Sequence, residues 1–159
     1  MDDIQLTFKK ATIDDLELLA RTRIEFMAAN HADLTDADKI ALYEANKVYF
    51  RETLSDGSFT AFLAFDGGKL VATSGVSFYK TPPQRKNLSG KTAYISNMYT
   101  KPAYRRKGIA TRLFHMAAEE ARARGCGKMT LYATDMGRPI YEKYGFIVPN
   151  NAMEYYFNK

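Results

Sequence analysis

Ile4, Leu6 and Phe8 alternate with polar residues, so a strand is expected at the start of the chain. Thr12, followed by Asp14 and Asp15, sets up an acidic first turn with a hydroxyl cap. Leu16, Leu19, Ala20, Ile24 and Met27 then recur at helical spacing. A second helix is predicted from about Thr35 or Asp36 to Leu54, with Ile40, Tyr43, Val48 and Leu54 among its apolar positions. The pattern then changes. Phe59 to Phe65 and Leu70 to Phe78 are rich in β-formers and flank Asp66-Gly67-Gly68-Lys69, a hairpin signature. Thr81 to Gly90, with Pro82 and Pro83, reads as a loop. Ala93 to Thr100 is another strand, closed by Pro102, whose ring disfavours helix at Lys101.

The clearest helix runs from Gly108 to about Arg124. Ile109, Leu113, Met116 and Ala117 form its apolar stripe, widened by Ala110, Phe114 and Ala121. Glu119–Arg122 and Glu120–Arg124 are spaced to pair on the outer side, and Gly125 closes the helix. Met129 to Ala133 is a short strand, and Arg138 to Tyr144 a short helix that Pro139 starts and Gly145 closes. Phe146-Ile147-Val148 and Met153 to Phe157 are expected as two last strands around Pro149-Asn150-Asn151. The order is strand, two helices, a three-strand meander, helix, strand, helix, strand, strand. It predicts a mixed α/β fold on one central sheet.

Composition narrows the class. The 159 residues fit one compact domain over 1–159, with no repeat or linker to divide it. With 46% apolar and 26% charged residues, the chain has the makings of an ordinary core. Cys126 is the single cysteine, which excludes an intramolecular disulfide and a cysteine-built zinc site. His31 and His115 lie far apart without metal-ligand spacing, so no metal is expected. The start, Met1-Asp2-Asp3-Ile4, is acidic and then strand-like, the opposite of a secretory leader. No apolar run approaches the roughly 18 residues of a membrane span, so a cytoplasmic protein without membrane contact is expected.

Charge supplies the first chemical lead. The 23 Lys+Arg against 18 Asp+Glu leave a net charge of +5, which points to an anionic partner. The densest basic knot, Arg105-Arg106-Lys107, stands immediately before Gly108 and the strongest helix. Strand, basic turn, glycine, helix is a recipe for an anion site, because unpaired N–H groups and the positive end of the helix dipole converge there. Neither a Lys-Ser/Thr after the glycine nor a GxGxxG pattern is present here, so the signatures of ATP hydrolysis and dinucleotide binding are missing.

These residues resemble a known family. Ile95-Ser96-Asn97-Met98-Tyr99-Thr100-Lys101-Pro102-Ala103-Tyr104-Arg105-Arg106-Lys107-Gly108-Ile109-Ala110 is similar to the acetyl-CoA-binding motif of the GNAT family of N-acetyltransferases. Arg105, Gly108 and Ala110 match its Arg/Gln-x-x-Gly-x-Gly/Ala ending. Arg138-Pro139-Ile140-Tyr141-Glu142-Lys143-Tyr144-Gly145-Phe146 resembles a second family segment, Tyr-Glu-Lys-x-Gly-Phe, at the expected distance. The resemblance implies an acyl-CoA N-acyltransferase fold: a single mixed, mostly antiparallel sheet of about six or seven strands flanked by about four helices. It implies that a bulge splays the fourth strand, Ala93 to Thr100, from the fifth, with a pantetheine arm in the opening. Backbone groups of Met98, Tyr99 and Thr100 would then face that arm. Arg105, Arg106, Lys107, Gly108, Ile109 and Ala110, with Thr111, would hold the pyrophosphate.

The implied reaction moves an acetyl group from acetyl-CoA to a primary amine by direct attack, through a tetrahedral intermediate. It needs a neutral amine, donors for the oxyanion and a proton for the leaving thiolate. By resemblance, a backbone N–H of Met98 or Tyr99 is the oxyanion donor and Tyr141 the general acid. A core aromatic is the alternative for Tyr141. Glu25, Asp135 and Glu154 are candidates for the base, with Glu25 foremost; each also fits an ordinary surface carboxylate. The family's Asn after the fifth strand is absent, and Thr134-Asp135-Met136-Gly137 stands there instead.

Cys126, after a helix C-terminus, reads as structural, and both histidines as exposed or partly exposed side chains. The acceptor, a small-molecule or peptide amine, would meet the first two helices, the Pro82-Pro83 loop and the final hairpin. Tyr43, Tyr49, Tyr79 and Tyr155 are aromatic candidates for its pocket, and Glu25 and Glu44 could draw its ammonium group. The aromatic end Tyr155-Tyr156-Phe157 fits either core or a homodimer surface. An acyl-CoA-binding sensor without transfer is the alternative function. A nucleic-acid-binding domain is disfavoured, because no tryptophan, RNA-binding aromatic motif or zinc spacing occurs.

Overall fold

The computed structural model describes residues 3–158; Met1 and Asp2, part of the acidic start noted above, and Lys159 lie outside the described residues. One five-stranded sheet runs in chain order. It comprises β1 (Leu6–Lys10), β2 (Phe59–Asp66), β3 (Lys69–Lys80), β4 (Lys91–Thr100) and β5 (Lys128–Leu131). The first four strands pair antiparallel, and β5 joins β4 in parallel. That parallel step requires a crossover, which α3 (Ile109–Ala123) supplies. The remaining helices are α1 (Leu16–Asn30), α2 (Asp36–Asp56) and α4 (Arg138–Tyr144).

Both faces of the sheet are covered, and β2 shows how. Phe62 and Ala64 point into a cluster shared with Leu113, Phe114 and Ala117 of α3. Ala61 and Leu63, on the opposite face, pack with Leu19 and Ala20 of α1 and Phe50 of α2. Successive side chains of a strand alternate faces, so a strand between two helical layers reads as a continuous apolar run.

Local signals act where expected. Thr12 and Asp15 close a capping box around the short 3₁₀ turn Ile13–Asp15 that leads into α1. Thr35 and Asp38 do the same for α2. The predicted outer pairs of α3 form, with Arg122 at 3.7 Å from Glu119 and Arg124 at 2.9 Å from Glu120. In α2 the apolar face differs from the expectation: Ile40 and Val48 are exposed, while Phe50 is buried and Tyr43 and Leu54 pack beside it. Ile40 and Val48 fall off the stripe that α2 lays on the sheet.

The expectation of six or seven strands is corrected to five among the described residues. Phe146-Ile147-Val148 and Met153 to Phe157 do not pair into the sheet. Gly145, at φ +117°, turns the chain at the end of α4. Its N–H bonds back to Glu142 O (3.1 Å) and that of Phe146 to Tyr141 O (3.0 Å). This Schellman-type end spends Phe146 on the α4–α3 packing, its ring 5.9 Å from that of Tyr141. Beyond it, Ile147, Val148, Met153, Tyr155, Tyr156 and Phe157 are all exposed. Among the described residues no helix is long and apolar enough to cross a membrane.

Candidate active site

The site begins with one extra residue in β4. Gly75 of β3 pairs with Ser96 and Thr73 pairs with Tyr99, so Ser74 alone opposes both Asn97 and Met98. Asn97 adopts the left-handed conformation, φ +53°. This is a β-bulge, which bends the strand that carries it. Thr73 Oγ1 donates to the displaced Asn97 carbonyl at 2.8 Å in a buried setting. Gly75 lies across from it. A Cβ there would sit 2.6 Å from the Phe59 ring and 3.3 Å from the Asn97 Cβ, so only glycine fits. Pairing of β4 with β5 stops at Ile95, two residues before the bulge begins at Asn97. Past that point the β4 backbone groups facing away from β3 have no strand partner among the described residues.

From Thr100 the chain turns through a short 3₁₀ segment, Pro102–Tyr104, toward α3. Arg105 Nε donates to Thr100 O at 3.0 Å and ties the turn to the strand end. Arg106 (φ +62°) and Gly108 (φ +75°) are both left-handed and fold the backbone into a tight cup. The first bond into the helix joins Arg112 N to Gly108 O at 3.1 Å, and no side chain caps this end. The N–H groups of Ile109, Ala110 and Thr111 therefore lack helical acceptors and point with the dipole toward the cup. Arg106 and Lys107 stand exposed on its rim. Uncapped amides, two left-handed residues and a basic rim suit a diphosphate, and the unpaired edge of β4 suits an extended amide-bearing arm.

Tyr141, on the first turns of α4, is 6% exposed and packs edge-on against Phe114 at 5.3 Å. It belongs to the same apolar cluster as Ile109, with Met98 of the bulge at the edge of that cluster. Its hydroxyl makes no hydrogen bond among the described residues. Burial pushes the phenol up to about 12, so it is protonated at neutral pH.

The candidate bases scatter. Glu25 is half exposed and 3.7 Å from Lys101 Nζ. Asp135 is exposed in the turn after β5, where Thr134 rather than the acid receives the Gly137 N–H, at 3.2 Å. Glu154 lies in the tail against Tyr132, whose phenol it pushes up to about 12 by accepting its hydrogen bond. Cys126 is half-buried, and burial raises its thiol. His31 and His115 are exposed.

On the α1/α2 face, directly at the bulge, lies a pocket of about 150 Å³ walled by Arg23, Asn46, Tyr49, Ser77, Tyr94 and Asn97, among others. Of the four tyrosines expected to line an acceptor pocket, Tyr49 is on its wall. Tyr43 instead bonds to Glu17, and Tyr79 and Tyr155 are exposed. Arg23 and Tyr94 carry no sequence signal, since each sits in an unremarkable amphipathic element. Asn97 lies inside the matched motif, but nothing local reveals that its side chain turns to this pocket.

A bulged strand parting from its parallel neighbour, beside an amide cup at a helix head, defines a fold shaped for an extended arm ending in a diphosphate. The chain belongs to the acetyltransferase (GNAT) family, whose model matches residues 21–146. It is similar to the predicted acetyltransferase with acetyl-CoA from Clostridium acetobutylicum, with a TM-score of 0.87, 29% identity and 96% of each chain covered. A GCN5-related N-acetyltransferase from Ralstonia eutropha JMP134 gives a TM-score of 0.83 at 29% identity, covering 95% of this chain and 97% of that one. Thialysine N-epsilon-acetyltransferase of Mus musculus is 30% identical over 87 residues, 55% of this chain and 49% of that protein. Glucosamine 6-phosphate N-acetyltransferase 1 of Oryza sativa subsp. japonica is 29% identical over 90 residues, 57% of this chain and 53% of that protein. The chain thus spans about half the length of these two curated relatives.

Proposed function

We propose that this protein transfers the acetyl group of acetyl-CoA to a primary amine. The observation that carries the reading is the pairing of the β4 bulge with the uncapped start of α3, one feature for each end of the donor molecule. The amides of Ile109, Ala110 and Thr111, with Arg105, Arg106 and Lys107, bind the diphosphate. Backbone groups from Met98 to Thr100 line the arm. A β4 N–H at Met98 or Tyr99 donates to the carbonyl oxygen as negative charge builds there.

The amine nitrogen forms its bond to the carbonyl carbon, the carbon–sulfur bond breaks, and the amine's extra proton passes to solvent, with Glu25 the carboxylate proposed to relay it. Tyr141 faces the departing sulfur. We read its buried phenol, protonated at neutral pH, as the general acid that gives the leaving thiolate its proton, which solvent then replaces. Two relatives are named for small amine acceptors, thialysine and glucosamine 6-phosphate, which fits a small-molecule acceptor here.

Titration calorimetry with acetyl-CoA, followed by a free-thiol assay across an amine panel, tests the reading. Binding with amine-dependent thiol release supports it. No binding at millimolar acetyl-CoA, or binding with no release for any amine, removes it.

A further inference from the structure

The pocket beside the bulge holds a cation with no counter-charge. Arg23, half-buried on α1, makes no ion pair and no hydrogen bond among the described residues, and its one recorded contact is the Phe26 ring, 5.6 Å from its guanidinium carbon. The ionisable groups that bear on it are the phenols of Tyr94 and Tyr49, neither of them a carboxylate, while burial penalises its charge. No wall of the pocket supplies a compensating acid. From α2 come Asn46, Tyr49 and Phe50, from β2 Phe59, from β3 Ser77, and from β4 Tyr94, Ser96 and Asn97. None is a carboxylate. Glu25, next on α1 but one, is engaged by Lys101, and Glu154 by Tyr132.

A second orphan faces the same space. Asn97 is 3% exposed, and both its Oδ1 and Nδ2 are buried without a hydrogen-bond partner. Leaving such a side-chain amide unpaired is costly, so native chains rarely keep one without a use. An unpaired guanidinium drawn from water and an unpaired amide on one pocket wall leave complementary needs: an anion for the first, and a donor–acceptor group for the second.

We propose that Arg23 receives a carboxylate of the acceptor, so that the substrate class is a small primary amine that also carries a carboxylate, an amino acid or a close analogue. This rests on the acyl-transfer reading above and specifies its acceptor. The guanidinium presents a planar fork that matches a carboxylate with two parallel hydrogen bonds. One positive charge balances one carboxylate, whereas a phosphate monoester would bring nearly two negative charges to a single cation. A space of about 150 Å³ admits a small molecule, not a folded chain. Its wall ends at Ser96 and Asn97, the residues before the proposed oxyanion donor, so a carboxylate held at Arg23 leaves the amine end at the bulge.

The test uses the intact protein with acetyl-CoA and reads thiol release. The panel pairs each free amino acid, including β-alanine and γ-aminobutyrate, with its methyl ester, and adds O-phosphoethanolamine. At least one acid should exceed its ester by about 30-fold or more in kcat/KM, the loss expected when a desolvated charge is left without its partner. Arg23→Gln should bring that ratio to within about 3-fold, chiefly through KM for the acid. Its acetyl-CoA affinity by calorimetry should match that of the unaltered protein, which also shows that the variant is folded. Esters used as well as acids, no acid used at all, a preference for O-phosphoethanolamine, or a ratio that survives Arg23→Gln each overturn the carboxylate assignment while the transferase reading stands. Failure to bind acetyl-CoA takes both down and is seen in the first titration.

Discussion

Thr73 Oγ1 lies 2.8 Å from the carbonyl oxygen of Asn97, two strands' backbones locked together where one of them carries an extra residue. The bond satisfies a carbonyl that the left-handed turn at Asn97 has swung out of the sheet ladder. It thereby holds open the divergence of β4 from β5.

Thr73→Val keeps the shape of the side chain and deletes the donor. The stranded carbonyl should cost about 1–3 kcal/mol, read as a lowered midpoint in urea with an unchanged slope. Because the bulge positions the proposed oxyanion donor, kcat should fall along with stability. A variant as stable and as active as the parent would show that the bulge stands without this bond.

Gly108→Ala separates backbone conformation from steric room. A Cβ at Gly108 meets nothing within 4 Å, so the variant can fold, but φ +75° penalises any L side chain. The strain, about 1–2 kcal/mol, should pull the turn away from its cup shape. Acetyl-CoA binding measured by calorimetry should weaken by about 10-fold, since 1.4 kcal/mol corresponds to one decade.

Removing the rim charges with the double variant Arg106→Ala/Lys107→Ala should weaken acetyl-CoA binding about 3- to 10-fold and flatten its dependence on salt. Both side chains are exposed, so thermal stability should not change. Equal affinity at low and high ionic strength in the parent protein would place the diphosphate elsewhere.

Tyr141→Phe keeps the ring that packs on Phe114 and Phe146 and removes only the hydroxyl. Turnover should drop by about 10²-fold with acetyl-CoA affinity held within about 2-fold. The pH response carries its own signature. Burial raises the folded-state phenol from an ordinary value of 10.0 to about 12, so the folded chain retains a proton that the unfolded chain releases. The stability this contributes is complete below pH 10 and is lost as pH climbs toward 12. Thermal midpoints followed from pH 9 to 12 should therefore fall more steeply in the parent than in Tyr141→Phe.

Much of the architecture was legible because its signals are local. The start of the second helix at about Thr35 or Asp36, the Asp66-Gly67-Gly68-Lys69 hairpin and the Gly145 helix end each act over a few neighbouring residues, and each formed at its expected place. The cup at Arg105 to Thr111 is likewise one continuous stretch. The misplaced segments failed for a non-local reason. Val48 and Ile40 are apolar at helical spacing, yet whether a helical residue is buried depends on which stripe the sheet presses against. Met153 to Phe157 has strand-forming residues, yet it forms no ladder with edge strand β5 although Glu154 reaches Tyr132 just past that strand, so β-propensity by itself did not make a sixth strand.

Chain order and residue type alone determined the order of elements, the glycine turn that opens α3 at Gly108 and the tyrosine on the short helix, because each is written in adjacent residues whose backbone preferences do not await the rest of the fold. Tertiary packing alone decided the pocket. Arg23, Tyr49, Ser77 and Asn97 come from four different elements, and only the closing of α1 and α2 over a bulged sheet sets an unpaired guanidinium beside an unpaired amide. Burial and the absence of a counter-charge are properties of that assembled space, and no stretch of sequence carries them.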